Sequence, residues 1–179
     1  MSDKRIVVIF PGVNYSKDCP LLYYAGFKFE ARGYERVAID YSDSLKRDKS
    51  LDEHMENVKS DVLTKLKAID FSKYSDIVFV SKSIGTVIAG WADEKLSIGA
   101  RHIYLTPLKE TLPYIKKGKK VIIVIDGTND KHLNADILKE HCMKENIRLM
   151  QIEGVNHRLE VRGDTDKNIE ILKEVVALF

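Results

Sequence analysis

Residues 77–90 read IVFVSKSIGTVIAG: an apolar run, a short polar turn, then a second apolar run with helical spacing. The opening Ile-Val-Phe-Val has the composition of a strand buried on both faces. Ser83 sits in the turn, with Ser81 two residues before it and Gly85 two after. A strand that folds sharply back into a helix needs small residues at both places, because larger ones would collide with the neighbouring strand. Such a turn would present Ser83 as an exposed nucleophile, with the amide of Ile84 at the positive end of the helix. Serine is also among the best helix N-caps, so on this stretch alone the two roles stay open.

Six short apolar runs rich in Ile and Val, this one among them, are predicted as strands: RIVVIF (5–10), RVAID (36–40), DIVFVS (76–81), HIYLT (102–106), KVIIVID (120–126) and IRLMQIE (147–153). Helical patterns separate them. The clearest comes after Ser50, where Ser50 and Glu53 form a capping box and Leu51, Met55, Val58, Val62, Leu66 and Ile69 recur at three- and four-residue steps. Others run from Pro20 to Arg32, Ile84 to Leu96, Leu133 to Glu145 and Thr165 to Phe179, with a shorter one from Lys109 to Lys116 interrupted by Pro113. Strict alternation implies a three-layer α/β/α sandwich around a six-stranded, mostly parallel sheet joined by right-handed crossovers. Ligand chemistry in such sheets lies at the carboxyl ends of the strands.

The residues just past the other strands are therefore informative. After the fifth comes Asp126-Gly127-Thr128-Asn129-Asp130, and after the sixth Gly154-Val155-Asn156-His157. A serine nucleophile needs a base, and the base needs an orienting acid; these loops offer one of each. Taken singly, Asp130 reads as a turn or capping residue and His157 as a loop histidine. Their joint occurrence at the ends of three strands, in the order Ser, Asp, His, is hard to ascribe to chance. The first strand ends in Phe10-Pro11-Gly12-Val13-Asn14-Tyr15-Ser16.

On SKSIGT, GTND, GVNH and FPG the chain resembles the α/β-hydrolase superfamily over nearly its whole length. The resemblance implies Ser83 as nucleophile, His157 as general base and then acid, and Asp130 as the group fixing the imidazole. Asp126 is a weaker candidate for the acid, since the family's aspartate usually falls three residues after the glycine. It implies a backbone oxyanion hole from Ile84 and Val13, the latter freed by Gly12, with Pro11 where relatives often carry histidine. It also implies the strand order 2-1-3-4-5-6, a single domain over 1–179, and a minimal member without the extra amino-terminal hairpin. Only TPLKETLPYIKKGKK stands where many relatives insert a lid, so the site is expected to be open.

Composition narrows the remaining classes. With 179 residues, 44% hydrophobic, the chain fits one core burying roughly 70% of its unfolded surface. Lys plus Arg number 29 against 27 Asp plus Glu, and they are scattered, which argues against a nucleic-acid partner. The one basic cluster, KKGKK (116–120), reads as a solvated connection or as a steering patch for an anionic substrate. No apolar run approaches the ~20 residues of a membrane span, and the start of the chain leads into a strand rather than forming a signal peptide. Cys19 and Cys142 lack metal-ligand spacing and are expected as free thiols in a reducing cytoplasm.

Trp91 reads as packing, His54, His102 and His141 as structural or solvated, and His132 as too near Asp130 to reach Ser83. A Ser83–Lys82 dyad is disfavoured because neighbouring side chains diverge at a strand end. The first loop carries neither glycine-rich phosphate motif, against a nucleotide-binding fold. The expected function is hydrolysis of a small-molecule carboxylic ester or thioester without cofactor or metal. The alternatives are an acyltransferase using the same residues and a non-catalytic binding protein on this fold.

Overall fold

A computed structural model describes residues 3–44 and 51–179. The strands are β1 (Arg5–Phe10), β2 (Tyr34–Ala38), β3 (Asp76–Lys82), β4 (Arg101–Leu105), β5 (Val121–Gly127) and β6 (Leu149–Ile152). They form a six-stranded sheet in the order 2-1-3-4-5-6, every neighbouring pair parallel. The helices are α1 (Pro20–Glu30), α2 (Leu51–Lys67), α3 (Ile84–Leu96), α4 (Ala135–Glu145) and α5 (Thr165–Ala177).

The period-2 alternation of side chains divides each strand between two apolar cores. Val7, Ile9, Val78, Val80, Ile103, Leu105, Ile123 and Ile125 face α1 and α5. Ile6, Val8, Phe10 and Phe79 face α2 and α3, and Tyr104 and Val124 on the same side meet Leu138 and Cys142 of α4. Both sheet faces are thus covered, which is why the strands read as continuous apolar runs. In α2 the expected stripe holds at Val58, Val62 and Leu66, all fully buried. The expected Ser50 capping box lies outside the described residues.

Several boundaries move for local reasons. Gly33, at φ 82°, closes the turn after α1, so the helix stops at Glu30 and β2 starts at Tyr34 rather than at Arg36. In α4 the cap is Asn134, whose side chain accepts from the amides of Asp136 and Ile137, and the helix begins at Ala135 instead of Leu133. Strand β6 pairs only with β5 and shortens to four residues. The segment Lys109–Tyr114 is a 3₁₀ helix containing Pro113, and its Tyr114 ring fills the space a side chain on Gly90 would need.

The strand order reverses at β1, so the loops after β1 and β3 lie side by side at the sheet's carboxyl edge. The loops after β5 and β6 reach the same edge.

Candidate active site

Ser83 comes directly after β3 at φ 56° and ψ −125°, a combination that side-chain-bearing residues seldom adopt. The turn is held from three sides. The Ser83 amide donates to the Leu105 carbonyl at 3.1 Å, and its own carbonyl accepts from the Thr86 amide at 2.9 Å and the Thr86 hydroxyl at 2.6 Å. Thr111 lies 2.6 Å from that hydroxyl, tying the 3₁₀ segment to the turn. The Ser83 side chain makes no capping bond to the helix, which disposes of the N-cap role.

Its supports are explained by space. A Cβ on Gly85 would fall 2.3 Å from the Phe10 carbonyl oxygen and 2.5 Å from that of Pro11, so α3 can leave the strand this sharply only with glycine there. Ser81 is fully buried and donates to the Ile103 carbonyl at 3.2 Å. On the facing loop, a Cβ on Gly12 would lie 3.1 Å from Ser83 Cβ, which places that loop directly against the serine.

The freed side chain meets the histidine. Ser83 Oγ lies 2.8 Å from His157 Nε2, and His157 Nδ1 lies 2.6 Å from Asp130 Oδ2. A carboxylate accepts only, so Nδ1 carries the proton and Nε2 is left to accept from the serine. The other oxygen of Asp130 accepts from the His132 amide at 2.8 Å. Burial pushes Asp130 up, but the bonds from His157 and the His132 amide outweigh it and hold the carboxyl below its usual range. Burial lowers His157 below the ordinary imidazole value; the bond to Asp130 opposes this, while Lys82 and His132 add to it.

Asp126, the other acid considered, makes no bond to the histidine. It is fully buried, neither carboxyl oxygen has a hydrogen-bond partner among the described residues, and burial together with neighbouring Asp130 pushes it up to about 8.

The amides of Ile84 and Val13, the expected oxyanion donors, follow Ser83 and Gly12 in the chain. Ile84 opens α3, where no carbonyl exists one turn earlier to accept from it, and Val13 lies at the tip of the loop closed by the Gly12–Tyr15 bridge. Neither has a backbone acceptor among the described residues. On the far side of that loop is a cavity of about 410 Å³, lined among others by Pro11, Gly12, Val13, Tyr15, Ile39 and Tyr41. Ser83 does not line it; Gly12 forms the shared wall. Among the described residues no group of His, Cys, Asp or Glu side chains is placed to hold a metal ion.

Three contributors escaped the sequence. Lys82 is fully buried, although a lysine inside an apolar strand is itself a signal, since a buried ammonium needs partners. The His132 ring packs 4.3 Å from that of His157. Gly127 has no room for a Cβ, which would fall 2.1 Å from the Val155 carbonyl oxygen, so the loops after β5 and β6 lie in backbone contact. The basic run at 116–120 precedes β5 at the opposite, amino edge of the sheet, where Lys116 and Lys119 pair with Glu94. His102 is buried against Asp93 at 3.0 Å, and His141 donates to the Ile115 carbonyl at 2.6 Å, both away from the site.

This sheet order, with a serine on a sharp strand-to-helix turn, defines the α/β-hydrolase fold, and solved structures agree. A candidate hydrolase of the alpha/beta superfamily from Xanthomonas campestris pv. campestris matches with a TM-score of 0.71 at 15% identity, covering 98% of each chain. An alpha-beta serine hydrolase homologue from Coxiella burnetii gives 0.65 at 13% identity, over 98% of this chain and 85% of that one. Esterase 2 from Thermogutta terrifontis, solved phosphorylated by paraoxon, gives 0.65 at 19%, over 99% and 80%. No protein-family model and no curated protein matches the chain. No helix among the described residues is long and apolar enough to cross a membrane.

Proposed function

We propose that the protein is a serine hydrolase that cleaves a carboxylic ester or thioester of a small molecule through an acyl-enzyme on Ser83. The observation that carries this is the unbroken relay from Ser83 Oγ through His157 to buried Asp130, with the serine on a strained turn. Neutral His157 accepts the hydroxyl proton at Nε2 as Oγ attacks the carbonyl carbon. Asp130 holds the imidazole in that tautomer and stabilises the imidazolium that forms. The carbonyl oxygen, now negative, takes bonds from the amide of Ile84 at the N-terminus of α3 and from that of Val13 in the loop after β1. His157 then returns its proton to the departing alkoxide or thiolate, and a water activated by the same nitrogen releases the acid. The cavity beyond Gly12 falls in the size range of small-ligand pockets, and its apolar walls suit the hydrocarbon part of the substrate.

Paraoxon phosphorylates one protein of this fold, the Thermogutta esterase, so an organophosphorus reagent is the apt first probe. A fluorophosphonate should label the wild type and not Ser83→Ala, and short-chain aryl esters should be hydrolysed only by the wild type. Equal labelling and turnover by the variant would refute the assignment.

A further inference from the structure

Resting on this hydrolase function, we infer that Lys82 is a positioning residue of the site, whose buried ammonium fixes the loop carrying His157 to the strand carrying Ser83. Lys82 is 1% exposed, and an ammonium has three N–H donors to satisfy. It satisfies them on three different loops. Nζ donates to the carbonyl of His157 at 2.6 Å and to the Thr106 hydroxyl just past β4, and it stands 5.0 Å over the ring of Tyr15 in the loop after β1. Lys82 is also the peptide neighbour of Ser83. One side chain therefore joins the backbone of the base to the backbone of the nucleophile, while the relay joins their side chains.

The charge has a second effect. Facing the ammonium are Asp126 near the end of β5, Asp130 from the loop after it, and His157, Arg158 and Glu160 from the loop after β6. Burial lowers Lys82 to about 7, opposed first by Asp130 and then by Asp126. A cation so close disfavours the imidazolium, which keeps His157 neutral and able to act as a base.

Replacing Lys82 by Met keeps the length and removes both the bonds and the charge. The expected result is a fall in kcat for p-nitrophenyl acetate of about 10–100-fold, the scale of a small misplacement of a reacting group. KM should stay within about threefold of wild type, since no substrate contact is removed. The titration midpoint of the His157 imidazole, followed by NMR, should move up in Lys82→Met and stay near wild type in Lys82→Arg. If Lys82→Met does not fold, Thr106→Val tests the same tether, and kcat should again fall with KM held. A variant lacking the tether or the charge that keeps wild-type kcat and an unmoved His157 midpoint overturns the inference. Failure of the hydrolase proposal is distinguishable: it shows as absent turnover in the wild type, while the imidazole titration still reports on Lys82.

Discussion

The conformation of Ser83 makes an unusual demand on stability. At φ 56° and ψ −125° a residue with a Cβ is strained by about 1–3 kcal/mol, whereas glycine takes this conformation without penalty. Ser83→Ala and Ser83→Gly both delete the hydroxyl and lose the same bond to His157, so that loss cancels between them. What remains is the strain kept by Ala, set against the extra chain freedom that Gly loses on folding, about 0.5–1 kcal/mol. From the middle of these ranges, Ser83→Gly should be more stable than Ser83→Ala by about 1 kcal/mol. In a helix or strand interior the order is the reverse. For a chain of this size the difference corresponds to roughly 2–4 °C in Tm. Paired urea and thermal unfolding of the two variants at one pH, followed by circular dichroism, measures it directly. An alanine variant as stable as the glycine variant, or more so, would mean that the turn is not strained and that the sharp presentation of the serine is misjudged.

The same geometry sets other outcomes. Asp130→Asn, which disrupts the tautomer that leaves Nε2 free, should lower kcat by about 10³–10⁴-fold, while Asp126→Asn, which neighbours Asp130 but makes no bond to His157, should lower it far less. Because His157 is lowered and acts as a base only when neutral, kcat/KM should rise with pH, with the midpoint of the rise below 6.5; a midpoint above it would refute the assigned environment. Asp126 is raised in the folded state, so the native protein holds more protons than the unfolded chain, and this group's contribution falls as pH climbs from its ordinary value near 3.8 to about 8. Asp126→Asn should accordingly gain stability over wild type at pH 9 relative to pH 5, read as the shift in urea midpoints. Gly127→Ala forces a Cβ into the Val155 carbonyl and should cost about 1–3 kcal/mol by the same urea assay, with a loss of ester hydrolysis.

The strands were legible because each buried strand announces itself as an unbroken Ile/Val run, whereas their order, 2-1-3-4-5-6, followed from the resemblance to the α/β-hydrolase superfamily. The candidates Ser83, Asp130 and His157 could be picked out for a related reason: each stands in the turn or loop that follows such a run, where a parallel sheet gathers its loops. Boundaries were less so, since Gly33 and Asn134 move them by one or two residues through backbone conformation and capping, which periodicity does not register. Lys82 was read only as a partner for Ser83, to which it makes no bond; its actual partners are a carbonyl 75 residues away, the Thr106 hydroxyl and a tyrosine ring. Backbone acceptors leave no trace in residue type. The choice between Asp126 and Asp130 had the same character, because four residues of turn decide which carboxyl reaches the imidazole.

The backbone contact at Gly127 bears on how this scaffold can be rebuilt. The Thr128 and Asn129 amides donate to the carbonyls of Ile152 and Val155, and the Gly154 amide donates to the Thr128 hydroxyl, so the two loops interlock as one cassette. A chimaera that imports either loop from another protein must import both, together with the glycine between them.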